Sequence, residues 1–109
     1  MNEKARENIM QFQQLQQQLQ LLLMQKQNIQ LQVAELENAI NEVSNTAEEK
    51  VYEIVGNVMV KKSKESLLKS LKEKKDMMDL RSSTIEKQTQ KISEHATELQ
   101  KELSKQIKE

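Results

Sequence analysis

The sequence contains no cysteine and no proline, a single glycine, and only two aromatic side chains, Phe12 and Tyr52. Without cysteine the chain has neither a disulfide framework nor thiolate chemistry. One glycine cannot form the glycine-rich loop that holds a phosphate group. With 36% apolar residues among 109, the chain also cannot build a large globular core. These absences argue against most classes of enzyme and favour long helices, which this Leu-, Gln-, Lys- and Glu-rich composition suits.

The sequence also gives no indication of a membrane-spanning segment or a metal site. The longest apolar run, Leu21 to Met24, is far too short to cross a bilayer. Residues 1–11 are mostly polar and lack the apolar centre of a signal peptide. His95 is the single histidine and has no second histidine or cysteine with which to bind a metal. We therefore expect a cytoplasmic protein with no membrane segment, no metal, no cofactor and no catalytic residue.

Two heptad series dominate the pattern, and each is typical of a helix that pairs with another helix along one face. The core positions of the first series are Phe12, Leu15, Leu19, Leu22, Lys26, Ile29, Val33, Leu36, Ile40 and Val43. Those of the second are Leu68, Leu71, Lys75, Met78, Ser82, Ile85, Thr89, Ile92, Ala96, Leu99 and Leu103. The chain is thus predicted to be mostly α-helical, a single domain over 1–109 with helices at 4–44 and 64–107.

Folded back on themselves, the two helices form an antiparallel coiled coil in one consistent register. The predicted pairs are Val43 with Leu68, Ile40 with Leu71, Leu36 with Lys75, Val33 with Met78, Ile29 with Ser82, Lys26 with Ile85, Leu22 with Thr89, Leu19 with Ile92, Leu15 with Ala96 and Phe12 with Leu99. Lys26 and Lys75 are charged residues at core positions. Each either fixes the register or packs its stem on the interface while its ammonium reaches solvent.

Between the helices the pattern changes to β-branched residues on both sides of Gly56 and Asn57, which is typical of a tight β-hairpin. We predict this hairpin over 50–62, with Val55 paired with Val58. Both of its faces are then substantially apolar, and a lone two-stranded hairpin is marginal in water. The hairpin is therefore predicted to assemble with further chains into an oligomeric β-barrel through Val51, Tyr52, Ile54, Val55, Gly56, Val58, Met59 and Val60.

The open end of the coiled coil, where the two termini meet, is the candidate binding site. Helix pairing should weaken there, because Asn8 and Ala5 face the second helix in place of large apolar residues. Fraying helices would expose a flexible apolar surface suited to varied partners. The tip residues are Ile9, Met10, Phe12, Leu99, Leu103 and Ile107. The alternatives are plain fraying without function, or binding at faces that carry Leu21, Leu23 and Met24.

A basic stretch from Lys61 to Lys75 opens the second helix. It has two interpretations, a nucleic-acid patch or a solvated helix face with some intrachain ion pairs. The second is favoured, because the whole chain is neutral and no aromatic or arginine cluster accompanies the lysines. No nucleic-acid partner is predicted.

The helix, hairpin and returning helix, with V-Y-E-I-V-G-N-V-M-V-K at 51–61, Q-Q-L-Q-Q-Q-L-Q at 13–20 and Q-K-Q at 25–27, resemble the beta-type subunit of prefoldin over nearly the whole chain. The single hairpin resembles that of the beta-type subunit, and the compact length is similar to that of an archaeal one. The resemblance implies a hexamer of two alpha-type and four beta-type subunits whose hairpins form a double β-barrel. It further implies that the tips hold non-native polypeptides without ATP and pass them to a group II chaperonin. The alternative function is a static coiled-coil scaffold or tether.

Overall fold

The computed structural model describes residues 2–108, with side chains described as far as Ile107. Helix α1 covers Glu3–Asn45, strand β1 Lys50–Val55, strand β2 Val58–Ser63 and helix α2 Lys64–Lys108. Two helices with a two-stranded antiparallel hairpin between them are the predicted architecture. The chain forms two compact units, one of Met1–Asn28 with Ser82–Glu109, the other of Ile29–Arg81.

A polar side chain caps the N-terminus of each helix. Asn2 precedes α1, and its Oδ1 accepts a hydrogen bond from the backbone N–H of Ala5 at 2.7 Å. Ser63 precedes α2, and its Oγ accepts one from the backbone N–H of Ser66 at 3.1 Å. Each cap satisfies a backbone donor that has no partner inside the helix. Glu65 in the first turn of α2 adds a favourable interaction with the helix dipole.

The unit formed by 1–28 and 82–109 is built on a small apolar core. Leu15, Ala96 and Leu99 are buried together, and Phe12 and Ile92 pack against them. Lys26 lies at the same interface and places its Nζ 3.6 Å from Glu86 Oε1 on α2. These contacts agree with the predicted register, in which Lys26 lies beside Ile85 and Leu15 opposes Ala96.

The unit formed by 29–81 contains the hairpin and the part of each helix that adjoins it. Lys75 Nζ lies 3.7 Å from both Glu37 Oε1 on α1 and Asp79 Oδ2 on α2, as the predicted pairing of Lys75 with Leu36 requires. The backbone N–H of Lys64 donates to Glu49 O at 2.8 Å. Leu67 is buried although the heptad pattern starts one residue later, so this core position was missed.

The hairpin has the predicted register, with Val55 opposite Val58, Ile54 opposite Met59 and Tyr52 opposite Lys61. Gly56 has φ of +62°, whereas φ of Asn57 is not positive. A positive φ at the first central residue alone is the pattern of a type II′ turn, one of the two turns that match the twist of a tight hairpin.

Within residues 2–108, neither helix contains the length of apolar sequence that crossing a bilayer requires. No group of His, Cys, Asp and Glu side chains is placed to hold a metal ion in that described part of the chain.

Candidate protein-interaction surfaces

The two faces of the hairpin differ in burial. One face carries Val51, Glu53, Val60 and Lys62, all half-buried. On this face Lys62 Nζ and Glu53 Oε2 form an ion pair at 3.2 Å. The part of this face away from the turn is therefore partly covered by the chain itself, whereas Val55 and Val58, at the turn end of the same face, are not.

The opposite face of the hairpin is uncovered. Tyr52, Ile54 and Met59 are exposed there, Ile54 with 73% of its surface in water. Val55 and Val58 lie on the first face, next to the turn, and are exposed as well. We call these five side chains the hairpin surface. Ile54 and Met59 are directly paired across the strands, so they form one continuous apolar patch beside two open strand edges. Such a patch is suited to packing against further strands.

The tip residues divide into enclosed and exposed side chains. Leu99 and Leu103 are 6% and 8% exposed, and Phe12 and Ile9 are half-buried. Met10 and Ile107 are 63% and 68% exposed. Within this unit, therefore, the accessible apolar surface of the tip comes mainly from two side chains, with Phe12 and Ile9 adding part of theirs.

Both helices extend to the open end of the described residues. Helix α1 starts at Glu3 and α2 continues to Lys108. Ala5 is almost fully buried, and Asn8 Nδ2 donates to Gln106 Oε1 at 3.3 Å. A small side chain lets the helices approach closely, and a polar pair between them replaces an apolar one. The sequence argument treated Ala5 and Asn8 only as missing apolar residues and did not include these two contacts.

The basic stretch runs from the end of β2 into α2. Among the described residues, three of its seven lysines contact an acceptor in their own chain. Lys62 pairs with Glu53, Lys75 pairs with Glu37 and Asp79, and Lys64 Nζ donates to Thr46 O at 2.9 Å. These contacts use part of the positive charge that a nucleic acid would need.

Comparison with known proteins identifies the family. Residues 6–109 match the family model described as "Prefoldin subunit". The chain belongs to the prefoldin subunit family. This prefoldin subunit is 38% identical to prefoldin subunit beta of Archaeoglobus fulgidus, over 87% of this chain and 83% of that protein. It is 39% identical to prefoldin subunit beta of Pyrococcus furiosus, over 82% of this chain and 77% of that protein.

A solved structure gives the same assignment. The crystal structure of the prefoldin beta subunit from Thermococcus strain KS-1 superposes on this prefoldin subunit with a TM-score of 0.91. The two chains are 30% identical, and the match covers 99% of this chain and 96% of that one. The resemblance to the beta-type subunit drawn from the hairpin and glutamine motifs is therefore confirmed.

Proposed function

We propose that this prefoldin subunit is part of a chaperone that holds non-native polypeptides without ATP. The observation that carries the proposal is the position of its exposed apolar side chains. A chain with 31% charged residues leaves apolar patches uncovered both on the hairpin and at the tip. Contiguous exposed apolar surface, such as that of Ile54 and Met59 on the hairpin, marks interaction sites. Family membership and the beta-type relatives support the same function.

The hairpin surface is proposed to join subunits. Exposed Tyr52, Ile54 and Met59 would be buried when hairpins of several chains close into a β-barrel, which also removes the open strand edges. The proposed complex contains two alpha-type and four beta-type subunits. Its proposed location is the cytoplasm.

The tip is proposed to contact the client. Met10 and Ile107 would exchange water for apolar side chains of a non-native polypeptide, a gain of about 25 cal/mol per Å² of apolar surface buried. Leu99 and Leu103 are buried in the same unit and support the helix pair. One such contact is weak, but several tips on one complex would add by avidity. Because the proposal involves no nucleotide, release would follow client folding or transfer to a group II chaperonin.

A static scaffold is the second candidate. The close pairing of the open end, with Ala5 buried and Asn8 bonded to Gln106, is the observation that favours it. A scaffold would need no apolar contact at Met10 or Ile107, whereas a holding chaperone would.

Substitution of Met10 and Ile107 by glutamine tests the proposal. Both side chains are exposed, so the helices and the assembly should be preserved. The variant is expected to need about fivefold more complex for equal protection of chemically denatured lysozyme against aggregation, the ratio that a loss of ~1 kcal/mol gives. Light scattering after dilution of the lysozyme measures protection, and sedimentation measures assembly.

Met77→Gln is the matched control, because Met77 is a similarly exposed methionine that lies outside the tip. It is expected to protect lysozyme as well as the unchanged complex does. Full protection by a correctly assembled double variant would remove the tip from the mechanism. Absence of protection by the unchanged complex would reject the chaperone function and favour the scaffold.

A further inference from the structure

The two strands of the hairpin are joined to the helices in different ways. Strand β2 ends at Ser63 and helix α2 begins at Lys64, so no residue separates them. Helix α1 ends at Asn45 and strand β1 begins at Lys50, which leaves residues 46–49 outside both elements. We call these residues the α1–β1 connection. Because a rigid element attached at one point can pivot about it, the orientation of the hairpin depends on how this connection is held.

The C-terminus of α1 has little in its own sequence to satisfy it. The last four carbonyl groups of an α-helix have no partner inside the helix, and a left-handed glycine or a nearby basic residue often completes such an end. The last turn of α1 contains no basic residue. The single glycine of the chain, Gly56, lies in the hairpin turn. The backbone N–H of Thr46 donates to Val43 O at 3.4 Å, which is long for such a bond.

Lys64 contacts both ends of the α1–β1 connection. Its Nζ donates to Thr46 O at 2.9 Å, and its backbone N–H donates to Glu49 O at 2.8 Å. Lys64 and Thr46 are both half-buried. The ammonium also lies beside the C-terminus of α1, where the helix dipole favours a positive charge. The first residue of α2 therefore completes the end of α1 and holds the residue that precedes β1.

The side-chain bond is the stronger of the two contacts. A hydrogen bond from a charged donor contributes more than one between neutral groups. Without the ammonium, the hairpin would keep its direct junction with α2, but the α1–β1 connection would be held only through Glu49, which is exposed. The hairpin could then pivot about the junction of Ser63 and Lys64.

We propose that Lys64 is a positioning residue for assembly, fixing the orientation in which the hairpin meets the hairpins of further chains. The inference rests on the proposed assembly through the hairpin surface. Strands of several chains join one sheet only when their edges meet in register. A hairpin that is already held in one orientation loses less freedom on association, and this preorganisation strengthens binding.

Three variants separate this role from a general effect of charge. Lys64→Met removes the ammonium and keeps an unbranched side chain. Lys64→Arg keeps a positive charge and N–H donors, and is the conservative variant. Lys69→Met is the matched control, because Lys69 is an exposed lysine of α2 and its replacement removes the same charge.

A distance measurement reports the orientation directly. Because the chain has no cysteine, Asn38→Cys with Asn57→Cys places spin labels at two unique points, one exposed on α1 and one exposed in the hairpin turn. Pulsed electron paramagnetic resonance then gives the distribution of distances between the labels in the full-length chain. Lys64→Met is expected to broaden this distribution, whereas Lys64→Arg and Lys69→Met should leave it unchanged. A residue that only adds stability would not alter the distribution in the folded chain.

Sedimentation of the complex over a dilution series measures the consequence for assembly. For Lys64→Met we expect the concentration of half-dissociation to rise about fivefold, the ratio that a loss of ~1 kcal/mol gives. Lys64→Arg and Lys69→Met are expected to dissociate at the concentration of the unchanged complex.

An unchanged distance distribution or an unchanged dissociation of Lys64→Met overturns the positioning role and leaves the proposed function standing. An equal rise for Lys64→Met and Lys69→Met also overturns it, because loss of charge would then explain both. If a complex with Ile54→Glu and Met59→Glu stays intact, the hairpin surface does not join the subunits, and the role of Lys64 fails together with the proposed assembly.

Discussion

Single residues fix the local geometry of this chain. Gly56 provides the positive φ of the turn, and Asn2 and Ser63 cap the two helices. The turn and the Ser63 cap could be predicted, because both depend on residue types at fixed spacing. The Asn2 cap was missed, since the helix was expected to start later and no apolar periodicity extends that far.

Gly56→Ala isolates the backbone requirement of the turn. A Cβ built at Gly56 meets nothing within 4 Å, so the cost is conformational strain alone. We expect a loss of about 1–2 kcal/mol in the free energy of unfolding, the cost of a left-handed conformation for a residue with a side chain. Urea denaturation followed by circular dichroism measures it. Asn57→Ala is the control, because φ of Asn57 is not positive, and a comparable loss there would contradict the explanation.

At the scale of the elements, the heptad pattern predicted the helix interface well. Every predicted core position is buried or half-buried, including Lys26 and Lys75, whose ammonium groups reach carboxylates on the opposite helix. Leu67 was missed because it is not one of the core positions of the heptad series. At the open end, a heptad pattern considers only apolar residues and does not predict the burial of Ala5 or the hydrogen bond between Asn8 and Gln106.

The register predicts a specific cross-link in the unit that contains the hairpin. Cysteines at Val33 and Met78, both half-buried in the interface, should form an intrachain disulfide on mild oxidation. A coiled-coil pair does not have ideal disulfide geometry, so we expect a majority of the chains rather than all to close. Non-reducing electrophoresis detects the closed form. Cysteines at Ile40 and Met78 are the control, and more efficient closure there would mean that the helices pair one heptad away.

At the scale of the whole molecule, the sequence predicted the hairpin and its register but not how far each of its faces is buried. Both hairpin faces were read as apolar, but the face that carries Val51 and Val60 is partly covered in its own unit. Burial of that kind depends on contacts that alternation in a strand does not specify. The uncovered face, with Ile54 and Met59 side by side, leaves most of the surface of these two side chains accessible to another chain.

Assembly is therefore expected to depend on that uncovered face. Ile54→Glu with Met59→Glu would place two carboxylates where neighbouring chains bury apolar surface, and burying an unpaired charge is strongly unfavourable. We expect the helical content to be retained and the complex to dissociate to a monomer or dimer in sedimentation. Leu31→Glu with Met77→Glu adds the same charge at two similarly exposed helical positions and should leave the complex intact. Dissociation of both variants would indicate a general effect of charge, and an intact complex of the hairpin variant would move the subunit interface away from Ile54 and Met59.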